Sequence, residues 1–401
     1  LGIGELDRVL GGGLVSGSVV LLGGEPGIGK STLLLQVAAA VASGAGEGHV
    51  LYASGEESAG QLRLRAGRLG ILDGPAGRVI RVVAERDVRG VMELAREDPP
   101  ELLIVDSIQT AVVEELDGPP GSVGQVRESA ARLGELAKSS GIPTILVGHV
   151  TKDGTLAGPK TLEHLVDVVL ALEGERSGGL RLLRSPKNRY GSTEEVGVFE
   201  MLERGLAEVP DPARAFLGEH PEPAPGSVVG ATLEGTRPIL VEVQALTSSG
   251  AIGSPRRTTS GLDPNRLALL IAVLGRRAGV GLSSHDVYAN LAGGLAFDDP
   301  ALDLPLALAL ASSLRDVPIP AGTIAIGEVG LLGELRGVPG MDRRLREAAR
   351  LGFDRAVVPS AAGRSTVEAP RGLAVVPAAT LAGALGLVLP GGEPSGGRRA
   401  R

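Results

Sequence analysis

The chain runs to 401 residues, more than one domain usually holds, and with 43% hydrophobic residues it has apolar content for two cores. It has no cysteine, which excludes disulfides and thiolate metal sites, and no apolar run of the roughly 18 residues that a membrane span needs, so it reads as a soluble, cytoplasmic chain with no membrane partner. The net charge of −7 argues against indiscriminate binding to nucleic acid, yet acidic residues exceed basic ones by ten before residue 226 and basic exceed acidic by three after it; with aromatics at 2% and no tryptophan, any DNA contact falls to phosphates and not to stacked bases.

From residue 18 to about 209, short apolar runs alternate with helical patterns: "SVVLL", "HVLYAS", "RVIRVV", "ELLIVD", "IPTILVGHV" and "DVVLAL". Strands this apolar, separated by helices, predict an α/β domain over 1–209 whose parallel sheet is covered on both faces. The first run leads into "GEPGIGKST", in which Gly24, Glu25, Pro26, Gly27, Ile28, Gly29, Lys30, Ser31 and Thr32 fit the phosphate-loop pattern between a strand and a helix. Glycines there let backbone N–H groups turn toward phosphate oxygens, Lys30 reaches the β and γ phosphates of ATP, and the Ser31 hydroxyl can ligate Mg2+.

The next run, "YASGEES", sets Glu56 and Glu57 just beyond its strand. Strand ends on the carboxyl side of a parallel sheet share one crevice, so either carboxylate could orient water at the γ phosphate; Glu56 is the first choice and Glu57 the reserve, with two helix-start acids as the bland alternative. "LLIVDS" ends in Asp106, expected to hold magnesium through water. "TILVGHVTKDG" ends a further strand at His149, either a γ-phosphate sensor or a satisfied strand-end histidine.

"SPKNRYGS" then puts Lys187 and Arg189 on an expected turn, far in sequence from the phosphate loop; by local sequence alone they are two solvated cations. Residues 210–226 hold five prolines and read as a stiff connection. Beyond it a second domain over 227–390 is predicted: a β-hairpin in "SVVGATLEGTRPILVEVQAL", a helix in "PNRLALLIAVLGRRAG" and a buried helix in "LDLPLALALASSLRD". Residues 391–401, "GGEPSGGRRAR", read as a disordered tail.

Taken together, "LGIGELDRVLGGGLVSGSVVLLGGEPGIGKSTLL", "YASGEES", "LLIVDSIQT", "GHVTKDGTLAGPKTLEHLVD" and "KNRYG" resemble the bacterial RadA (Sms) family of recombination proteins over nearly the whole chain. The family's motif usually has phenylalanine where Tyr190 stands, a change that keeps the ring. The resemblance implies a RecA-like P-loop ATPase core with a C-terminal α/β domain like the proteolytic domain of Lon, assembled as a homo-hexameric ring. In that ring Lys187 and Arg189 of one subunit reach the ATP of its neighbour, where cations stabilise charge on the transferring phosphoryl group.

The resemblance also implies that the second domain is noncatalytic. Ala301 stands at the nucleophilic serine and Asp342 at the lysine base, and no lysine follows residue 187. It further implies a DNA-dependent, helicase-like ATPase that binds single-stranded DNA and branched recombination intermediates and promotes branch migration beside the recombinase RecA. Arg127, Lys152 and Lys160 are loop cations that could face DNA. Arg256 and Arg257 in a polar loop, and Arg343, Arg344 and Arg346 on a helix, suit phosphate contacts, subunit interfaces or plain solvation. The family's structural Zn2+ is not expected, since its four-cysteine module has no counterpart here and a start at Leu1 reads as an excised fragment. The alternative reading is a regulatory RecA-like ATPase acting on a protein client.

Overall fold

The computed structural model describes residues 1–44, 48–148, 161–174, 179–211, 217, 223–249, 255–293, 296–360 and 369–389. They form two compact units, Leu1–Pro210 and Asp211–Arg401.

The first unit is built on β1 (Val19–Gly24), β2 (Val50–Ser54), β3 (Ile80–Val83), β4 (Leu102–Asp106), β5 (Thr144–Val147), β6 (Val168–Glu173), β7 (Leu180–Asn188), β8 (Val196–Leu202) and β9 (Gly205–Glu208). They lie in the order β3-β2-β4-β5-β1-β6-β7-β8-β9. The first six pair in parallel, and β7 to β9 extend the sheet antiparallel. Every residue of β1, β2, β4 and β5 is buried, as their unbroken apolar runs require of strands covered on both faces.

Alternation along β1 sorts its side chains to two cores. Val20 and Leu22 pack with Leu33, Leu34 and Val37 of α2 (Lys30–Gly44) and with α1 (Gly4–Leu10). Val19 and Leu21 pack with Val91 of α5 (Val88–Glu97) and Leu133 of α6 (Val123–Ser140). The remaining helices of this unit are α3 (Ala59–Arg68), α4 (Ala76–Val79) and α7 (Thr161–Leu165). Ser58 and Gln61 form a capping box that starts α3, and the Asp87 carboxylate caps α5, so both helices begin where their end groups are satisfied.

Strands β7 to β9 were not among the predicted ones, and they correct the expected turn: Lys187 and Asn188 are the last residues of β7. The physical reason is that β7 carries charges among its apolar residues, with Arg181 buried and Arg184 half-buried, so its strand pattern is broken in sequence.

The second unit holds a seven-stranded sheet in the order β12-β13-β11-β10-β14-β17-β18 and a two-stranded one of β15 and β16. Its strands are β10 (Ser227–Glu234), β11 (Arg237–Ser249), β12 (Arg257–Ser260), β13 (His285–Leu291), β14 (Thr323–Ala325), β15 (Glu328–Val329), β16 (Leu335–Arg336), β17 (Arg355–Pro359) and β18 (Ala374–Ala378). Its helices are α8 (Pro264–Arg277), α9 (Asp303–Arg315), α10 (Met341–Arg350) and α11 (Leu381–Val388). β10 and β11 form the hairpin that the sequence predicts, and residues 303–312 of α9 are buried without a break.

Residues of the expected connection are held by this unit. Asp211 pairs with Arg350 at 3.0 Å, Leu217 packs on its core, and Gly226 N donates to Ser312 Oγ at 2.9 Å. No helix among the described residues is long and apolar enough to cross a membrane.

Candidate nucleotide site

The loop between β1 and α2 turns on glycine. Gly27 and Gly29 have φ of 80° and 118°, and a Cβ on Gly29 would stand 2.5 Å from Met201 Cε of β8. Nothing lies within 4 Å of a Cβ built on Gly27, so that side of the loop has room for a ligand. Ile28 is buried and fixes the loop from beneath, while Glu25 and Pro26 are exposed.

Lys30 opens α2 almost fully buried, and its Nζ donates to the carbonyls of Gly24 at 2.8 Å and Glu25 at 3.0 Å. Burial pushes its pKa down, against the pull of the Asp106 and Glu56 carboxylates. Ser31 and Thr32 follow in the first turn, which carries no acidic residue, so the positive end of the helix is uncompensated.

β5 lies between β1 and β4, which brings the carboxyl end of β4 beside the loop. Asp106, the last residue of β4, is buried, and its Oδ2 accepts a hydrogen bond from Tyr52 Oη at 2.6 Å. Burial, and then the Asp106 carboxylate, push the Tyr52 phenol well up.

The two glutamates after β2 part company. Ser107 Oγ donates to Glu56 Oε1, which keeps Glu56 next to Asp106 and within electrostatic reach of Lys30. Glu57 pairs with Arg65 of α3 at 2.7 Å, and its backbone N–H donates to Ser54 Oγ at 3.1 Å. The turn that leads into them is tight: Gly55 N donates to Asp106 O at 2.8 Å, and a Cβ on Gly55 would fall 2.0 Å from Thr110 Oγ1. His149, Lys152 and Lys160 lie outside the described residues.

The side chains of Lys187 and Arg189 are held toward the other end of the strands. Lys187 Nζ donates to the carbonyls of Glu163 and, at 2.8 Å, Val166, the chain that leads from α7 into β6. Burial, then the Arg189 guanidinium, push its pKa down. Arg189 pairs at 3.0 Å with Asp167, whose other oxygen accepts from Val19 N at 3.0 Å. The pair is therefore anchored where β1 begins, whereas the phosphate loop follows Gly24 where β1 ends, about 17 Å away at the rise of an extended strand. Asn188 ties the motif to α1 by donating from Nδ2 to Val9 O at 3.1 Å, and Tyr190 is exposed.

The remaining cations differ from one another. Arg127 lies in α6 and not on a loop, because the helix already starts at Val123, where Gln125 in its first turn is buried and bonded to Val113 and Leu116. Arg256 and Arg257 are both exposed, but Arg257 is the first residue of β12 and not part of a loop, since it pairs with Val287 of β13. Arg344 is no surface cation: it is 2% exposed and pairs with Asp299 at 2.8 Å. Arg346 pairs with Asp342 one turn away on α10. Ala301 is wholly buried in the core of the second unit, and Asp342 is exposed.

Sequence reasoning missed Tyr52 and Arg181. Arg181 is buried in β7 and donates from Nε to Ile28 O at 3.2 Å, so it holds the phosphate loop from a strand across the sheet. The only signal in the chain was a charge inside an apolar run, and its partner is visible only once the strands are paired.

The donor set fits a magnesium nucleotide. It has an open glycine turn at an uncompensated helix start, a buried lysine whose Nζ rests on loop carbonyls, and a buried carboxylate facing the same crevice.

Comparison with known proteins gives the family. Residues 3–155 match the family model described as an AAA domain, and residues 269–362 the one described as subunit ChlI of Mg-chelatase. The DNA repair protein RadA of Bacillus subtilis is 50% identical over 383 residues, covering 96% of this chain and 82% of its own. The RadA of Pseudomonas aeruginosa is 51% identical, covering 95% and 82%, and that of Streptococcus pyogenes serotype M1 48% identical, covering 96% and 83%. A solved structure, the RadB recombinase, aligns with 52% of this chain and 98% of its own at 23% identity and a TM-score of 0.41; the fold rests on the strand order above and not on that likeness. With identity near one half along almost the full chain, and a P-loop core followed by a second α/β domain, this chain belongs to the RadA family of DNA repair proteins.

Proposed function

We propose that the chain is a DNA-dependent ATPase that works as a homo-hexameric ring, moving on single-stranded DNA to promote branch migration of recombination intermediates alongside RecA. Glu56 acts as the base that orients water, Lys30 and the loop N–H groups hold the phosphates, and Ser31 and Asp106 hold magnesium, which supplies charge neutralisation at the phosphates when bound. His149 serves as a γ-phosphate sensor. Lys152, Lys160, Arg127, Arg256 and Arg257 are the candidate DNA contacts. The second domain acts without peptidase chemistry, a reading supported by the burial of Ala301 among apolar side chains.

The observation that carries the ring is the position of Lys187 and Arg189. Both side chains are anchored at the start of β1, the opposite end of that strand from the phosphate loop. A cation pair so placed is better suited to a nucleotide bound by another copy, and in that arrangement hydrolysis depends on assembly. Lys187 must first leave the carbonyls of residues 163 and 166, so its engagement is coupled to the chain around α7.

Steady-state ATP hydrolysis with and without single-stranded DNA, run beside Lys187→Ala, tests this function. Stimulation by DNA is expected, and the substitution should abolish it while leaving nucleotide affinity intact. A rate indifferent to DNA across a range of salt would favour instead a regulatory ATPase with a protein client, to which the acidic first half of the chain is better suited.

A further inference from the structure

Tyr52 has no exposed surface, and a core phenol ordinarily pairs with whatever backbone carbonyl is nearest. Here it reaches past the backbone to the strand-end carboxylate. β2 and β4 run parallel with Tyr52 opposite Ile104 and Ser54 opposite Asp106, so Tyr52 and Asp106 are diagonal neighbours on one face. A tyrosine is long enough to span that diagonal, and its Oη lies 2.6 Å from Asp106 Oδ2. The ring is wedged in the same core as Leu33, Leu34 and Val37 of α2, which follows the phosphate loop. Its hydroxyl is thus held rigidly with respect to the nucleotide-binding helix.

The consequence falls on Asp106. The terminal torsion of a carboxylate is broad, so an aspartate at a strand end selects no single orientation unaided. An O–H donor on a carboxylate oxygen is among the stronger hydrogen bonds and removes that freedom. Among the described residues, Oδ1 of Asp106 carries no such bond.

We propose that Tyr52 is a positioning residue of the magnesium site: its phenol locks the Asp106 carboxylate through Oδ2 and leaves Oδ1 available to the ion or its water. This rests on the reading of Asp106 as the magnesium carboxylate. Partners that orient a metal-binding side chain are generally worth about 10- to 100-fold in metal affinity, which sets the size of effect to look for.

The test is binding of a fluorescent ADP analogue to the full chain, titrated with magnesium and repeated in EDTA, for wild type, Tyr52→Phe, Asp106→Asn and the double variant. Phenylalanine keeps the ring in its core and removes only the hydroxyl. The Mg2+ concentration for half-maximal tightening should rise about tenfold in Tyr52→Phe, with affinity in EDTA and the melting temperature of the nucleotide-free protein little changed. In the Asp106→Asn background the tyrosine substitution should add nothing.

An unchanged magnesium midpoint in Tyr52→Phe, alongside a raised one in Asp106→Asn, overturns the proposal and leaves the reading of Asp106 standing. Equal losses with magnesium and in EDTA also overturn it, since they describe a core residue alone. If Asp106→Asn itself leaves the midpoint unmoved, the reading of Asp106 fails and the role of Tyr52 falls with it.

Discussion

Two adjacent glutamates carry the same charge and stand one residue apart, yet their surroundings assign them different work. Glu57 is engaged by Arg65 and closes its own turn through Ser54, which is the pattern of an acid that orders the start of a helix. Glu56 is held by Ser107, next to Asp106, the proposed magnesium carboxylate, and near enough to Lys30 to affect its charge. A base must stand within reach of the water it activates, so the two isosteric substitutions should separate sharply. Glu56→Gln should lower kcat by about two to three orders of magnitude with nucleotide affinity retained, the scale typical of a positioned acid or base. Glu57→Gln should stay within about threefold of wild type, because a half-exposed ion pair is worth little. Steady-state hydrolysis combined with nucleotide titration checks both, and a larger loss for Glu57→Gln would reverse the assignment.

At the level of elements, the second unit shows how a charge that looks exposed in sequence becomes part of a core. Arg344 belongs to a run of arginines in α10, but its face of the helix is turned inward, where it meets Asp299 and the carbonyl of Ala231 in β10. Asp299 also accepts from Leu233 N at 2.9 Å and caps the turn at Ala301, so one ion pair ties helix, strand and turn together. Removing one partner of a buried pair typically costs about 3–5 kcal/mol because the other is left buried and unmatched. Arg344→Leu should therefore raise amide exchange through β10 and α10 by about two to four orders of magnitude, whereas Arg346→Leu, whose partner is exposed, should leave exchange close to wild type. The same contrast marks what was legible in the chain. The parallel strands could be read because unbroken apolar runs such as "LLIVD" have few other uses, and the phosphate loop because its glycines and lysine have a fixed spacing. Strand β7 was not, since Arg181, Arg184 and Lys187 interrupt its pattern for reasons that lie on other strands, and neither were the partners of Tyr52 and Arg344, which are set by pairing across the sheets.

For the whole molecule the decisive question is whether Lys187 serves its own nucleotide or another copy's. Its anchor at the start of β1 argues for another copy, and a head-to-tail interface repeated around a ring would give every site one loop from one subunit and one cation pair from the next. That division of labour predicts complementation between two dead proteins. A Lys30→Ala subunit is poor at holding phosphate but still offers Lys187, while a Lys187→Ala subunit binds nucleotide but offers its neighbour nothing. Each variant alone should be inactive. Mixed at equal amounts and allowed to exchange subunits, about one interface in four should combine an intact loop with an intact lysine, so hydrolysis should recover to about a quarter of the wild-type rate if sites act independently, and to less if they fire in sequence. A mixture as inactive as its parts, with subunit exchange verified by a fluorescent label, would mean that the lysine and the loop must share a chain. Lys187 would then have to swing from β7 across β6 to reach β1's far end, which its bonds to the carbonyls of residues 163 and 166 oppose.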